Sequence, residues 1–197
     1  MSKRDPDRTA QKILEAAFTE FADKGFAGAR VDEIAKVSGV NKRMIYYYFQ
    51  NKEGLYEAIL KMTFASKREA ARQAPTDPLE LLEHYTNTAF HDRDFIRLLQ
   101  WEALGWEHRP VIDEEERRKT FLVTREKLIK MHEMGIIPEE LEPKFIQFVY
   151  VAMTWFPTAF PQLARMITDG DSSTEEYQKD YLDFLHKLTC KIISLPE

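Results

Sequence analysis

Residues 30–52 constrain the fold of this chain most, because they have the pattern of two short helices joined by a tight turn. Gly39 follows the first helix, where a left-handed backbone conformation ends many helices, and glycine adopts that conformation most easily. Asn41 is a favourable N-cap for the second helix, in which Ile45 is placed to pack against Ile34 of the first. The pattern predicts a helix-turn-helix, whose second helix enters the major groove of DNA.

The outward face of the predicted second helix is basic and aromatic. A merely solvated helix has no need of three consecutive tyrosines, whereas a phenol hydroxyl can bind phosphate and its ring can contact a thymine methyl. We therefore expect this face to contact DNA through Lys42, Arg43, Met44, Tyr46, Tyr47 and Tyr48. The alternative that spacing alone leaves open is a helical hairpin in which some tyrosines are half-buried.

The same region resembles the DNA-binding domain of the TetR family of transcriptional repressors. The resemblance rests on Gly25-Phe26, Ile34-Ala35, Gly39-Val40, Tyr46 to Phe49, and Lys52-Glu53 with Leu55. It implies an all-helical fold and a homodimeric repressor that leaves its operator when a small molecule binds the C-terminal domain. It also implies that Lys52, at the start of the next helix, contacts a DNA phosphate.

Four residues depart from the usual pattern of that family. Arg30 stands where the family usually has threonine, so it can bind phosphate as a cation but offers no hydroxyl cap. Asp32 replaces a residue that is basic in many members; we favour a first-turn helix acid, with acceptance from a cytosine amino group as the alternative. Arg43 and Met44 replace small residues, so the operator sequence cannot be transferred from relatives.

Basic charge is concentrated where the motif lies. The 197 residues carry a net charge of −5, which argues against a protein that coats nucleic acid without specificity. Residues 30–52 contain five basic and two acidic side chains and therefore carry a local charge of +3. A local basic footprint is typical of a specific DNA-binding site.

Cysteine usage and hydropathy predict a cytoplasmic protein without a membrane partner. Cys190 is the single cysteine, so no internal disulfide can form, and we expect it to be a buried structural thiol. The first eleven residues lack the apolar core of a secretory signal. No apolar run approaches the roughly 20 residues that a membrane-spanning helix needs.

Helical periodicity and breaker residues predict an all-α chain of about nine helices. We expect a three-helix DNA-binding domain in residues 1–66 and an effector-binding and dimerisation domain in residues 67–197. A shared helix, residues 52–73, would join them and end at the Ala-Pro-Thr-Asp-Pro breaker. Near the N-terminus, Lys3 and Arg4 could touch phosphate when DNA is bound.

The later helices are predicted from the same signals. The first helix should run from about residue 8 to residue 24, where Gly25 ends it. The eighth should occupy about residues 140–155, and a kinked continuation past Pro157 and Pro161 remains open. 

Aromatic residues are dense in the C-terminal part of the chain, including Trp106. Most aromatics at helical spacing are core residues, but with polar neighbours they could line an apolar cavity. The family resemblance favours an effector cavity, which we expect to be bounded by some of Trp101, Phe121, Phe148, Tyr150 and Trp155. A closed core in a protein without an effector is the alternative. For the ligand itself we expect a flat aromatic or otherwise largely apolar compound.

The last predicted helix has more apolar surface than one buried stripe requires. We expect its second face to pair with another copy of the chain through Tyr181, Leu185, Leu188 and Ile192. A two-fold dimer would bind a near-palindromic duplex, because each recognition helix contacts one half-site.

Two other classes of protein fit this sequence less well than a regulator does. An enzyme is disfavoured because the chain has no nucleophile elbow, phosphate-binding loop or dinucleotide fingerprint. The five histidines are scattered, and His84 and His91 lack the spacing and third ligand of a metal site, so neither a metal nor a cofactor is expected. A purely structural helical protein would leave the three tyrosines and the local charge of +3 unexplained.

Overall fold

The structure, a computed structural model, describes residues 6–105 and 110–193. These residues form ten α-helices and no strand, which confirms the predicted all-helical class. The helices are α1 (Pro6–Gly28), α2 (Val31–Ser38), α3 (Lys42–Phe49), α4 (Lys52–Gln73), α5 (Pro78–His91), α6 (Arg93–Gly105), α7 (Glu114–Glu133), α8 (Pro143–Ala159), α9 (Pro161–Thr168) and α10 (Glu175–Ile192). The predicted arm at Lys3 and Arg4 and the aromatic Trp106 lie outside the described residues.

The structure has a tenth helix because the chain breaks between α8 and α9, where the sequence predicted either a helix end or a kinked continuation. α8 continues through Pro157, but it ends at Phe160, whose backbone leaves the helical region at φ −131° and ψ 61°. Pro161 then begins α9, where its missing N–H is no loss because the first amides of a helix have no partner. Pro161 therefore separates two helices, whereas Pro157 is tolerated inside one.

The first helix breaks at Gly25, where the sequence predicts its end, and a short helical segment follows it. Gly25 has φ 67° and ψ 174°, so the chain bends there and continues helically to Gly28. A Cβ atom at Gly25 would lie 2.8 Å from the indole ring of Trp101. Glycine is required here for two reasons, the positive φ and the close approach of the ring.

The chain forms two compact units, and helices α4, α6 and α7 run from one into the other along the chain. The first unit contains the described residues up to Ser66 together with those of Arg97–Arg117. Its core is built by α1, α2, α3 and the first half of α4, where the rings of Phe21, Phe26 and Tyr56 contact one another. Burial raises the pKa of the Tyr56 hydroxyl well above its usual range.

The second unit contains Lys67–Ile96 and the described residues from Arg118 onward. Within it, α5 packs against α8 and α10. One apolar cluster joins the residue after α4, α5, α7 and the loop after α7 through Ala74, Leu81, Leu128, Met131 and Ile137. Cys190 is exposed on α10, so the expectation of a buried thiol was wrong.

None of the described helices is both long and apolar enough to span a lipid bilayer.

Candidate nucleic-acid interface

The turn between α2 and α3 is fixed by the residues that the sequence indicated. Gly39 ends α2 in the left-handed conformation, at φ 68° and ψ 17°. The Asn41 side chain then accepts a hydrogen bond from the backbone amide of Met44 at 2.9 Å and caps α3. Ile34 of α2 and Ile45 of α3 are 0% and 1% exposed, so each helix buries an isoleucine in the core. The opposite face of α3 is therefore directed toward solvent.

That solvent-facing surface contains most of the predicted DNA contacts. Tyr47 is 78% exposed and Tyr46 is 39% exposed, and Lys42, Arg43 and Arg30 are exposed as well. Met44, Tyr48 and Lys52 are half-buried. We call the exposed α3 side chains Lys42, Arg43, Tyr46 and Tyr47 the recognition face.

Lys42 is paired with an acid from the preceding helix. Its ammonium lies 2.9 Å from a carboxylate oxygen of Asp32, in the first turn of α2. The hydrogen bond to Asp32 raises the pKa of Lys42, so the ammonium stays charged. Both side chains are largely exposed, and water screens the attraction. Asp32 thus partly neutralises one cation of the recognition face.

The other two predicted phosphate contacts stand at helix starts. Arg30 precedes α2 without a side-chain cap, and its own amide donates to the carboxylate of Glu20 at 3.0 Å. Lys52 begins α4, with its ammonium 4.9 Å from the centre of the Phe26 ring and 3.5 Å from the carbonyl oxygen of Ala27. Both positions leave a cation beside a helix N-terminus, where anions are favoured.

The junction of α3 and α4 depends on Gly54, which sequence reasoning missed. A Cβ atom at Gly54 would lie 2.3 Å from the carbonyl oxygen of Phe49. The Gly54 amide donates to the side chain of Asn51 at 2.7 Å, so Asn51 caps α4. The signal was present as an asparagine three residues before the glycine, which is the N-cap spacing. Only a residue without a side chain lets α4 start this close to the end of α3.

Sequence comparisons agree with a helix-turn-helix in this region. Residues 13–59 match the family described as bacterial regulatory proteins, tetR family. The HTH-type transcriptional repressor SCO4008 of Streptomyces coelicolor is 30% identical over 179 residues, which cover 89% of this chain and 92% of that protein. The chain belongs to the TetR family. It is a transcriptional regulator with a helix-turn-helix, as the resemblance predicted.

Two further proteins are similar to this TetR-family chain. The repressor NicS of Pseudomonas putida is 41% identical over 71 residues, 36% of this chain and 34% of NicS. The crystal structure of SCO4942 from Streptomyces coelicolor superposes with a TM-score of 0.78, covering 95% of this chain and 99% of that one. Its identity is 23%, so this likeness concerns the fold alone.

The five predicted effector residues of this TetR-family regulator lie in different places. Trp101 is in the first unit, against Gly25, and the other four are in the second. Phe121 and Phe148 line a cleft of about 520 Å³ between α7 and α8. The Trp155 ring packs against Phe95 at 5.8 Å between ring centres.

Tyr150 is largely buried in the second unit. Its hydroxyl forms a hydrogen bond with Thr189 of α10, and burial raises the pKa of the phenol. The structure therefore brings together Phe121 and Phe148, but not the five as one set.

The predicted dimer residues divide between interior and surface. Leu185 is 1% exposed, and the Tyr181 hydroxyl donates to the carbonyl oxygen of Met153 at 2.9 Å, so both pack inside one chain. Leu188 is half-buried and Ile192 is 36% exposed. Phe184 is the large apolar side chain of α10 most open to solvent, at 56% exposed.

No group of three His, Cys, Asp or Glu side chains suited to a metal ion occurs within residues 6–105 and 110–193.

Proposed function

We propose that this TetR-family regulator is a homodimeric repressor that binds a near-palindromic operator and is released by a small-molecule effector. The observation that carries the proposal is the recognition face itself. Its cations and tyrosines are exposed while Ile45 on the opposite side is buried. A core-packing role would require these rings to be covered, whereas DNA binding requires them to be accessible.

Each part of the interface has a chemical role in this proposal. Lys42 and Arg43 stand at the N-terminal end of α3, the end of a recognition helix that contacts base edges. Tyr46 and Tyr47 supply hydroxyls to phosphate and ring surface to thymine methyl groups. Arg30 and Lys52 bind phosphates and fix the register of the helix, and Met44 and Tyr48 contribute from half-buried positions.

Dimerisation is supported by apolar surface on the second unit. Phe184 and Ile192 are exposed on α10, with Leu188 half-buried on the same helix, and Val149 is 42% exposed on α8. These two helices supply the pairing surface across a two-fold axis. The inward packing of Tyr181 and Leu185 holds α10 in place within each protomer.

Effector release requires the ligand to favour the state that does not bind DNA. A ligand with equal affinity for both states shifts nothing. A hundred-fold decrease in operator affinity requires about 3 kcal/mol of discrimination per dimer. The proposed ligand site is in the second unit, which contains the predicted residues Phe121, Phe148, Tyr150 and Trp155. Trp101 belongs to the first unit and packs against Gly25. The relative SCO4008 is described as a repressor, which supports repression.

Selection from a random-sequence duplex library tests the proposal. We expect enrichment of one near-palindromic motif, with half-site centres about one helical turn or a little more apart. The affinity for this motif should fall steeply with salt, because phosphate contacts release counterions. A library without any enriched motif, or one monomer bound per site, would contradict the proposal.

A further inference from the structure

A cleft between α7 and α8 has the size and lining of a small-molecule site. Its volume is about 520 Å³, within the range of roughly 300–1,000 Å³ that is typical of ligand pockets. It opens to solvent along the helix pair. Its lining residues are Phe121, Arg125, Lys144, Phe145, Gln147, Phe148 and Val151.

The walls of this cleft are apolar and accessible. Phe145 is 60% exposed and Phe148 is 70% exposed, while Phe121 and Val151 are half-buried beside them. A phenylalanine ring gains free energy when water leaves its surface. A ligand with an apolar body would therefore be favoured against these rings.

Arg125 is held at the cleft by a buried amide. Gln147 is 5% exposed, and its side-chain oxygen accepts a hydrogen bond from Nε of Arg125 at 3.0 Å. Its side-chain nitrogen donates to the carbonyl oxygen of Phe121 at 2.7 Å. The amide is thus fixed at both ends, and it orients the guanidinium through the single N–H at Nε.

The terminal nitrogens of Arg125 keep their binding capacity. In the described part of the chain, Gln147 is the one hydrogen-bond partner of Arg125, and it takes only Nε. The remaining guanidinium N–H groups have the geometry that binds a carboxylate with two parallel hydrogen bonds. An oriented guanidinium beside exposed aromatic rings is complementary to an acid with an apolar body.

A second cation lies at the same cleft but is largely neutralised. The Lys144 ammonium is 2.6 Å from a carboxylate oxygen of Glu142 and 4.9 Å from the centre of the Phe145 ring. Lys144 and Arg125 together leave the cleft positive, with Arg125 as the cation that still lacks an anionic partner among the described residues. An anionic ligand is therefore favoured over a neutral or cationic one.

From these contacts we infer that the α7–α8 cleft binds an amphipathic organic anion. Its carboxylate pairs with the guanidinium of Arg125, and its aromatic or aliphatic body lies against Phe121, Phe145 and Phe148. The cleft includes Phe121 and Phe148 of the proposed effector site, so the control of DNA binding by this ligand rests on the proposed function. Binding of the acid itself is measured without DNA.

Matched pairs of acids and alcohols test the inference by calorimetric titration of the full chain. The probes are 1-naphthoate, 4-phenylbutyrate and decanoate, each compared with the primary alcohol of the same carbon skeleton. We expect at least one acid to bind roughly ten-fold more tightly than its alcohol, the order expected for a hydrogen-bonded ion pair. Acids that bind no better than their alcohols in all three pairs would overturn the inference.

Two substitutions separate the polar and apolar parts of the site. Arg125→Gln should remove the advantage of the acid over the alcohol, whereas Phe148→Ala should weaken both by a similar factor. Arg118→Gln removes an exposed arginine of α7 outside the cleft, and Phe160→Ala removes a half-exposed ring outside it. Both controls should bind like the wild type. An acid advantage that survives Arg125→Gln would overturn the assignment of the anion to this guanidinium.

Operator affinity and sedimentation distinguish the remaining outcomes. If the acid binds but operator affinity is unchanged, the cleft is a ligand site and its role as effector site fails. If no DNA motif is selected but the acid binds, the repressor proposal fails and the site stands. If Phe148→Ala dissociates the protein and none of the acids binds, the cleft is an interface between copies and the inference is overturned.

Discussion

Exposed aromatic side chains occur in both units of the protein, but their chemistry differs. On α3, the exposed rings are the tyrosines 46 and 47, and cations stand beside them. On α8 and α10, the exposed rings are phenylalanines 145, 148 and 184, which have no polar atom. A tyrosine remains hydrated at its hydroxyl until a phosphate or base replaces water. A phenylalanine gains only when an apolar surface covers it, so the two faces suit different partners.

The largest effect should come from a charge at Phe184 on α10. Phe184→Asp should weaken self-association by roughly 2 kcal/mol or more, about thirty-fold in the dissociation constant, because an aspartate must be desolvated in the interface. Sedimentation velocity over a concentration series measures it. Lys179→Glu places a carboxylate on an exposed polar position of α10 and should leave association unchanged. If Lys179→Glu weakens self-association as much as Phe184→Asp does, the exposed phenylalanine is not the contact that holds the two copies together.

A smaller effect is expected at the most exposed tyrosine of α3. Tyr47→Ala should lower operator affinity by about 1–3 kcal/mol, the range for a lost base or strong phosphate contact. Self-association should be unaffected, which is the reverse of the expectation for Phe184→Asp. Fluorescence anisotropy with the selected duplex measures it, and Phe160→Ala is the matched removal of an exposed ring from the other unit. Undiminished affinity of the Tyr47 variant would argue against a DNA contact.

The smallest effect concerns the acid that neutralises Lys42. Asp32→Asn keeps the shape of the side chain but removes the carboxylate 2.9 Å from the ammonium. Lys42 is then free to bind phosphate, so non-operator duplex should bind a few-fold more tightly. The slope of log affinity against log salt should steepen by up to about 0.9, the value for one additional phosphate contact. Unchanged slope and affinity would show that Lys42 already binds DNA despite the pair.

The helix-turn-helix could be predicted because its signals are local. Gly39 and Asn41 act within one helical turn of the backbone that they cap, and the spacing of Ile34 and Ile45 reports the packing of neighbouring helices. Most of the predicted DNA-binding residues are therefore exposed as expected. At position 25 the sequence predicted the helix end but not the close approach of the Trp101 ring, because that ring comes from a distant part of the chain.

The surface of α10 could not be assigned from the sequence in the same way. The apolar residues of α10 cover more than one face of the helix, so their periodicity does not tell which face is buried. Phe184 and Leu185 are neighbours about 100° apart around the helix, yet one is 56% and the other 1% exposed. Burial there is decided by packing on α5, a contact between residues far apart in the chain. The cleft at Arg125 was missed for a similar reason, because Gln147 from α8 orients it.

The most direct test of DNA reading by α3 is a second selection with an altered recognition face. The double variant Arg43→Gln, Met44→Ala changes two residues in the first turn of α3. We expect this N-terminal end of the helix to contact base edges. Arginine favours guanine and glutamine favours adenine in the major groove, so we expect the enriched base to change at symmetric positions of the two half-sites. Arg118→Gln should select the wild-type motif. The same motif from all three proteins would contradict the claim that α3 reads the operator.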